Sequence, residues 1–245
     1  MTTTAKTPDR IDAILRACRL MLRMNKARPD ARRSEILYYE MLVDYCTQLA
    51  TARQHGRFVA AHTVFFPSEI LYAMDIVPMH TETTSWMTAL FLGQYADLLA
   101  AGAEQGLSSE ICSPHRGLAG ALSIGALPHP DAVLWSNMVC DNTAKCGELL
   151  MKITGSPGFF LDRPFQQSEA EVTYFVEELR DMIAFLEGQS GLKMDWDKLS
   201  ETVRQMDQQI DLFREINRLR EAVPSPFHPQ GFLELVTVDY LFPGR

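Results

Sequence analysis

The chain has 245 residues, 47% of them apolar and 22% charged, and a formal net charge of −8. That length allows a sizeable core and the composition is ordinary for a soluble globular fold, while the acidic balance argues against a nucleic-acid partner, which would require a basic face. No apolar run approaches the ~20 residues that span a bilayer, and the N-terminus MTTTAKTPDRIDAI lacks the apolar stretch of a signal peptide, so a cytoplasmic location without membrane contact is expected.

Residues 8–26 and 31–54 carry apolar side chains at helical spacing and predict two amphipathic helices. Cys18 and Cys46 fall among those apolar positions and read as small buried hydrophobes. From residue 56 onward, short apolar runs alternate with helical patterns. RFVAAHTVFF (57–66) reads as a strand and its exit. PSEILYAM (67–74) reads as a helix opening at Pro67, where the missing N–H is not needed. DIVPMH (75–80) is a second short strand, and WMTALFLGQYADLLAAGAEQG (86–106) predicts one long apolar helix ending at a glycine. ICSPHRGLAGALSIG (111–125) is a loop and helix, and DAVLWSNMV (131–139) a buried strand. DNTAKCGELLMKITG (141–155) is a helix with Gly155 past its end, and GFFLD (158–162) another strand.

Alternation at this pace implies an α/β fold, a Rossmann-like parallel sheet flanked by helices. Two long helical patterns follow, 168–188 and 194–222, the second highly charged. The tail stretch GFLELVTV fits helix or strand and has no evident partner to pack on. The expected organisation is an N-terminal helical segment (1–55), a Rossmann-like α/β domain (56–165) and a long helical portion (166–245). That last portion would connect to the start of a missing or truncated second α/β domain.

The five cysteines are odd in number and widely spaced, unlike a secreted disulfide framework, and no CxxC pair is present. Two of them share a local context. Cys140 falls where a buried strand gives way to a helix that Asp141 or Asn142 can cap, and ligands of open α/β sheets bind at that edge. Cys112 immediately precedes Ser113, a good N-cap, and Pro114, a good first helical residue. Each sulfur would face a helix N-terminus, whose positive dipole end favours a thiolate or an anionic cluster. The 27 residues from Ser113 to Val139 suit one helix plus the next strand. Sheet geometry would then set the two strand ends about 5 Å apart if adjacent, or about 10 Å with one strand between. Chance placement remains the alternative, since two ligands are too few for an ordinary cluster. Cys146, more than a turn into its helix, reads as core.

The order PSEILYAMDIVP (67–78), SEICSPHRG (109–117), NMVCDNTAK (137–145) and FFLDRP (159–164) resembles the 2-hydroxyacyl-CoA dehydratase family, which includes the dehydratase D component and the B and C subunits of ATP-dependent benzoyl-CoA reductases. The resemblance implies two Rossmann-like domains per subunit, pairing with a homologous partner subunit, and a 4Fe–4S cluster held by three cysteines. It also implies an ATP-hydrolysing activator that delivers a low-potential electron. In the dehydratases, the thioester of an (R)-2-hydroxyacyl-CoA becomes a ketyl radical anion, the 2-hydroxyl leaves and the 3-hydrogen becomes acidic. In the reductases the electron enters an aromatic ring, and SSEICSPHRGLAG and VPMHTE lie closer to that side.

Carried over residue by residue, Cys112 and Cys140 match the first two cluster ligands. Glu69 matches a glutamate at a helix start, where it would shape the substrate pocket or move a proton; its plain alternative is a carboxylate that only stabilises its helix. Ser113 and His115 would donate hydrogen bonds to cluster sulfurs or substrate, or, for His115, sit solvated in the first turn. The third cysteine ligand is absent after Cys146. Two further readings therefore stay open: a non-catalytic remnant or partner-binding subunit that has lost the cluster, and a zinc or redox-thiol protein using Cys112, Cys140 and Cys146.

Overall fold

In the computed structural model, which describes residues 10–138, 140–227 and 229–244, the apolar runs become strands β1 (Val59–His62), β2 (Val77–His80), β3 (Ala132–Ser136) and β4 (Gly158–Leu161). They form one parallel sheet in the order β2–β1–β3–β4. The strands read as unbroken apolar runs because helices cover both faces. Val59, Ala61, Val77 and Met79 face α1 (Arg10–Ala27), α2 (Arg33–Thr51) and α4 (Thr81–Leu92). Val133 and Trp135 face α5 (Ala96–Glu104), α6 (Ser113–Ser123) and α7 (Asp141–Thr154) on the same side. Ala60, Leu134 and Leu161 point the other way, into a core built with α3 (Glu69–Ala73) and α8 (Glu169–Ser190). The parallel α/β sandwich expected from the alternation is present. Cys18, Cys46 and Cys146 are buried within it. Val139 and residues 1–9, which entered the sequence reading, lie outside the described residues.

Three local expectations are corrected. The stretch 86–106 is two helices, not one. Gly93 takes φ +61°, a left-handed conformation that glycine adopts without a Cβ penalty, and its N–H closes α4 on the Ala89 carbonyl. The helix also begins earlier, at Thr81, because the His80 ring accepts the Thr83 N–H at 3.2 Å. The tail is the helix α10 (Pro229–Leu241), and it does have a partner. Leu241 and Phe242 are buried in the α1–α2 core, where Phe242 meets Tyr45 edge-on at 6.1 Å. The Tyr72 hydroxyl donates to the Leu241 carbonyl, and Gly244 N–H donates to Gln209 at 2.8 Å.

Small residues set how closely the helices approach. A Cβ on Gly120 of α6 would lie 1.9 Å from the Leu98 carbonyl of α5, and one on Gly117 would lie 2.3 Å from the Tyr95 hydroxyl. Likewise Gly147 lets α7 settle on the Trp135 ring. The long α9 (Trp196–Arg220) crosses α3 and is otherwise mostly exposed, as its charge predicts. Among the described residues no helix is long and apolar enough to cross a membrane.

Candidate functional site

The carboxyl edge of the sheet gathers the polar groups. β1 and β2 end at His62 and His80, which are register partners. Their rings meet edge to face at 5.1 Å, and both are 2% exposed. Backbone contacts fix opposite tautomers. His62 Nδ1–H donates to the Thr63 carbonyl at 3.1 Å, which leaves its Nε2 as an acceptor. His80 Nδ1 accepts from Thr83 N–H, so its proton sits on Nε2. Burial pushes both imidazoles toward the neutral form; for His62, burial and then the neighbouring His80 bring it down to about 3. Sequence reasoning missed this pair. The signal was available: FVAAH and IVPMH each close an apolar run with histidine.

Glu69 opens α3 beside them, partly buried, and desolvation pushes its carboxyl above the ordinary range while its own backbone N–H works the other way. His62, His80, Ser68 and Glu69 line one cavity of about 500 Å³. The rest of its wall is apolar, from the β1–α3 turn and α3, from α8 and α9, and from Met138 after β3 and Pro243 after α10. In that turn Phe65 holds φ +56°, a strained conformation for a bulky side chain.

Cys112 and Cys140 are the residues immediately before α6 and α7, and neither makes a side-chain cap bond. Cys112 is exposed and Cys140 partly exposed, in contrast to the three buried thiols. Two expectations change here. Cys112 follows α5 and a loop rather than a strand, so the strand-end spacing does not describe it. Asp141 is the first helical residue and not the cap; instead the Thr143 hydroxyl ties the turn by donating to the Ser136 and Cys140 carbonyls, each at 2.6 Å. Ser113 is exposed next to Cys112, and its carbonyl accepts the Tyr95 hydroxyl at 2.8 Å.

His115 is turned inward, 4% exposed, and its Nε2 lies 2.7 Å from Glu82 Oε1 in the first turn of α4. It is not a solvated first-turn residue. Burial opposes a charge on this ring, but Cys146 beside it and the Glu82 carboxylate outweigh that and push it up to about 10. Burial likewise opposes the Glu82 carboxylate, yet His115 brings it down to about 2. This buried ion pair ties α4 to α6. His115, in the first turn of α6, also lies beside Cys146 in the second turn of α7.

Among the described residues no three His, Cys, Asp or Glu side chains converge as a metal-ligand set. Cys112 and Cys140 each combine an incompletely buried thiol, no competing side-chain cap bond and a helix N-terminus behind it, which is donor chemistry suited to an anionic cluster. Two thiols do not complete one.

The family model for 2-hydroxyglutaryl-CoA dehydratase, D-component, matches residues 63–245. The chain belongs to this family. Among curated relatives it is similar to the (R)-2-hydroxyisocaproyl-CoA dehydratase alpha subunit of Clostridioides difficile, 23% identical over 184 residues that cover 71% of this chain and 45% of the relative. It is similar to the (R)-phenyllactyl-CoA dehydratase alpha subunit of Clostridium sporogenes, 24% identical over 72% of this chain and 45% of the relative. It also matches the lactoyl-CoA dehydratase subunit alpha of Anaerotignum propionicum, 24% identical over 79% of this chain and 50% of the relative. The chain spans about half the length of the curated relatives it matches.

Proposed function

We propose that this chain forms part of a subunit of an iron–sulfur enzyme that eliminates water from a 2-hydroxyacyl-CoA thioester. The observation that carries this reading is the largely apolar cavity at the carboxyl edge of a parallel sheet, with the partly buried Glu69 carboxyl in its wall, in a chain of the dehydratase D-component family. The dehydratase names of its relatives favour loss of water over ring reduction.

In this reading the apolar wall holds the acyl group and excludes water from it. Glu69, its carboxyl raised by burial, gives a proton to the departing 2-hydroxyl and recovers one from the 3-position. His62, with Nε2 as an acceptor, orients the hydroxyl before it leaves. Cys112 and Cys140 would be two of the ligands that hold a 4Fe–4S cluster, and a further ligand would be supplied by residues other than these two cysteines. The bound cluster would supply a low-potential electron, received from a separate ATP-hydrolysing activator. The His115–Glu82 pair fixes α6 and so the position of the Cys112 turn, making both of them positioning residues.

The test is anaerobic reconstitution with a partner subunit and activator. Glu69→Gln is expected to cut turnover about 10²–10⁴-fold while iron and sulfide content stay unchanged. Cys112→Ala and Cys140→Ala are each expected to lose iron and sulfide. A colourless, inactive wild-type complex would overturn the reading in favour of a non-catalytic partner-binding chain. Stoichiometric zinc in place of iron would favour the thiol-metal alternative.

A further inference from the structure

Positive charge is concentrated in one short part of the chain. Residues 10–33 hold eight Lys and Arg against two Asp, in a protein whose formal net charge is −8. Four of these cations are already paired: Arg10 with Asp97, Lys26 with Glu40, Arg28 with Asp30 and Arg32 with Glu35. Arg16, Arg19 and Arg23 differ. They are exposed, they recur at i, i+3 and i+7 along one face of α1, and none of them forms an ion pair or a side-chain hydrogen bond among the described residues. Leu20 and Met24 lie beside them on the same face and are more than half exposed. Leu20 also lines a groove of about 460 Å³ between α1, α2 and α4, walled further by Met21, Tyr38, Tyr39, Leu90 and Phe91. Leu90, too, is more than half exposed. Among the described lining residues the charged one is the buried Glu234 of α10.

We infer that this face of α1 docks a protein partner through an amphipathic helix with an apolar face and a row of carboxylates along one edge. A contiguous exposed apolar patch rimmed by charge marks an interaction surface. A groove between helices accepts apolar anchors spaced at i, i+3 or i+4 and i+7, which is the pattern one helix face presents. Carboxylates at the edge of that helix meet Arg16, Arg19 and Arg23, whose planar guanidinium groups pair with them through two hydrogen bonds at once. Glu234 repels an acidic side chain inside the groove, so the partner's carboxylates belong on the arginine side, and the roll of the bound helix is set. The groove shares no lining residue with the cavity beside Glu69. The inference therefore stands apart from the acyl-thioester reading and from the cysteines.

Fluorescence anisotropy with two labelled helical peptides tests this on the full chain. Both peptides carry the same leucine face; one has glutamate along its edge and the other has lysine at the same positions. The glutamate peptide is expected to bind at least about tenfold more tightly than the lysine peptide. Its affinity is expected to fall about tenfold as salt rises from about 50 to about 300 mM. The triple variant Arg16→Glu, Arg19→Glu, Arg23→Glu changes exposed side chains alone, so the fold is retained, which circular dichroism checks. It is expected to weaken the glutamate peptide at least about tenfold, and Leu20→Ser with Leu90→Ser is expected to weaken both peptides by about as much. Equal binding of the two peptides, binding of neither, or binding that the triple variant does not move would overturn the inference. Tighter binding to phosphatidylglycerol vesicles than to the glutamate peptide, lost in the triple variant, would overturn it in favour of a lipid surface. A dimer of the chain that the same variant dissociates would overturn it in favour of self-association.

Discussion

Replacing Glu82 by glutamine tests the buried ion pair that holds the Cys112 helix. Glu82 is 13% exposed and His115 4%, and they meet at 2.7 Å. Glutamine keeps the shape and removes the charge. With His115 still protonated, an uncompensated buried cation costs about 3–5 kcal/mol. The ring can escape that cost by releasing its proton, so the penalty must depend on pH. In the wild type His115 keeps its proton to about 10, while an unfolded imidazole loses it near 6.5. The unfolded state therefore binds fewer protons above pH 6.5, and the pair's contribution falls as pH rises, by up to about 1.4 kcal/mol per pH unit. Between pH 6.5 and 8 that amounts to about 2 kcal/mol. Glu82, held down to about 2, adds nothing over this window, since its contribution is lost only at acid pH, below the unfolded value near 4.5. In Glu82→Gln the descending slope disappears, and below pH 6.5 burial of the ring makes stability fall as pH falls. The gap between wild type and variant should be widest near pH 5.5 and shrink by about 3 kcal/mol by pH 8, the rise of the variant and the fall of the wild type together. Urea melts at constant ionic strength measure it. Two profiles that run parallel, offset by a constant, would refute a charged pair.

Two further outcomes follow from packing. Gly120→Ala pushes a methyl into the Leu98 carbonyl across the α5–α6 contact and should destabilise the fold by about 1–3 kcal/mol, whereas Gly188→Ala, in open space on exposed α8, should stabilise it by about 0.5–1 kcal/mol; equal effects in denaturant melts would show that the close helix contact is not the cause. Phe242→Ala empties a site that is 2% exposed in the α1–α2 core and should cost about 3–5 kcal/mol, and a melting temperature unchanged from wild type would mean that the tail does not contribute to that core.

Much of the scaffold was legible in the sequence because local chemistry dictates it. VAAH, VPMH, AVLWS and GFFL are apolar runs too short to be helices, and the patterns between them are long enough to be crossovers. The accessible thiols were legible too, because Cys112 and Cys140 sit beside helix-start signals while the other three sit within helical apolar patterns. What failed depends on non-local geometry. Gly93 breaks a continuous apolar stretch because the turn there requires a left-handed residue, and apolarity alone does not reveal that requirement. Phe242 reads as a loose tail residue until α2 is brought beside it in space.

By itself, then, the sequence determined the parallel α/β architecture, the two helix-start cysteines and Glu69 at the opening of α3, since each follows from periodicity, capping chemistry or a short motif within a few residues. Only the tertiary structure decided that His62 and His80 are adjacent, that His115 turns inward to Glu82, and that α8 and α9 line an apolar cavity beside Glu69. Those features join residues up to 181 positions apart, from His62 to Pro243 in the cavity wall. Their protonation arises from burial and from neighbours across the fold, which are properties of the packed chain and not of any local stretch.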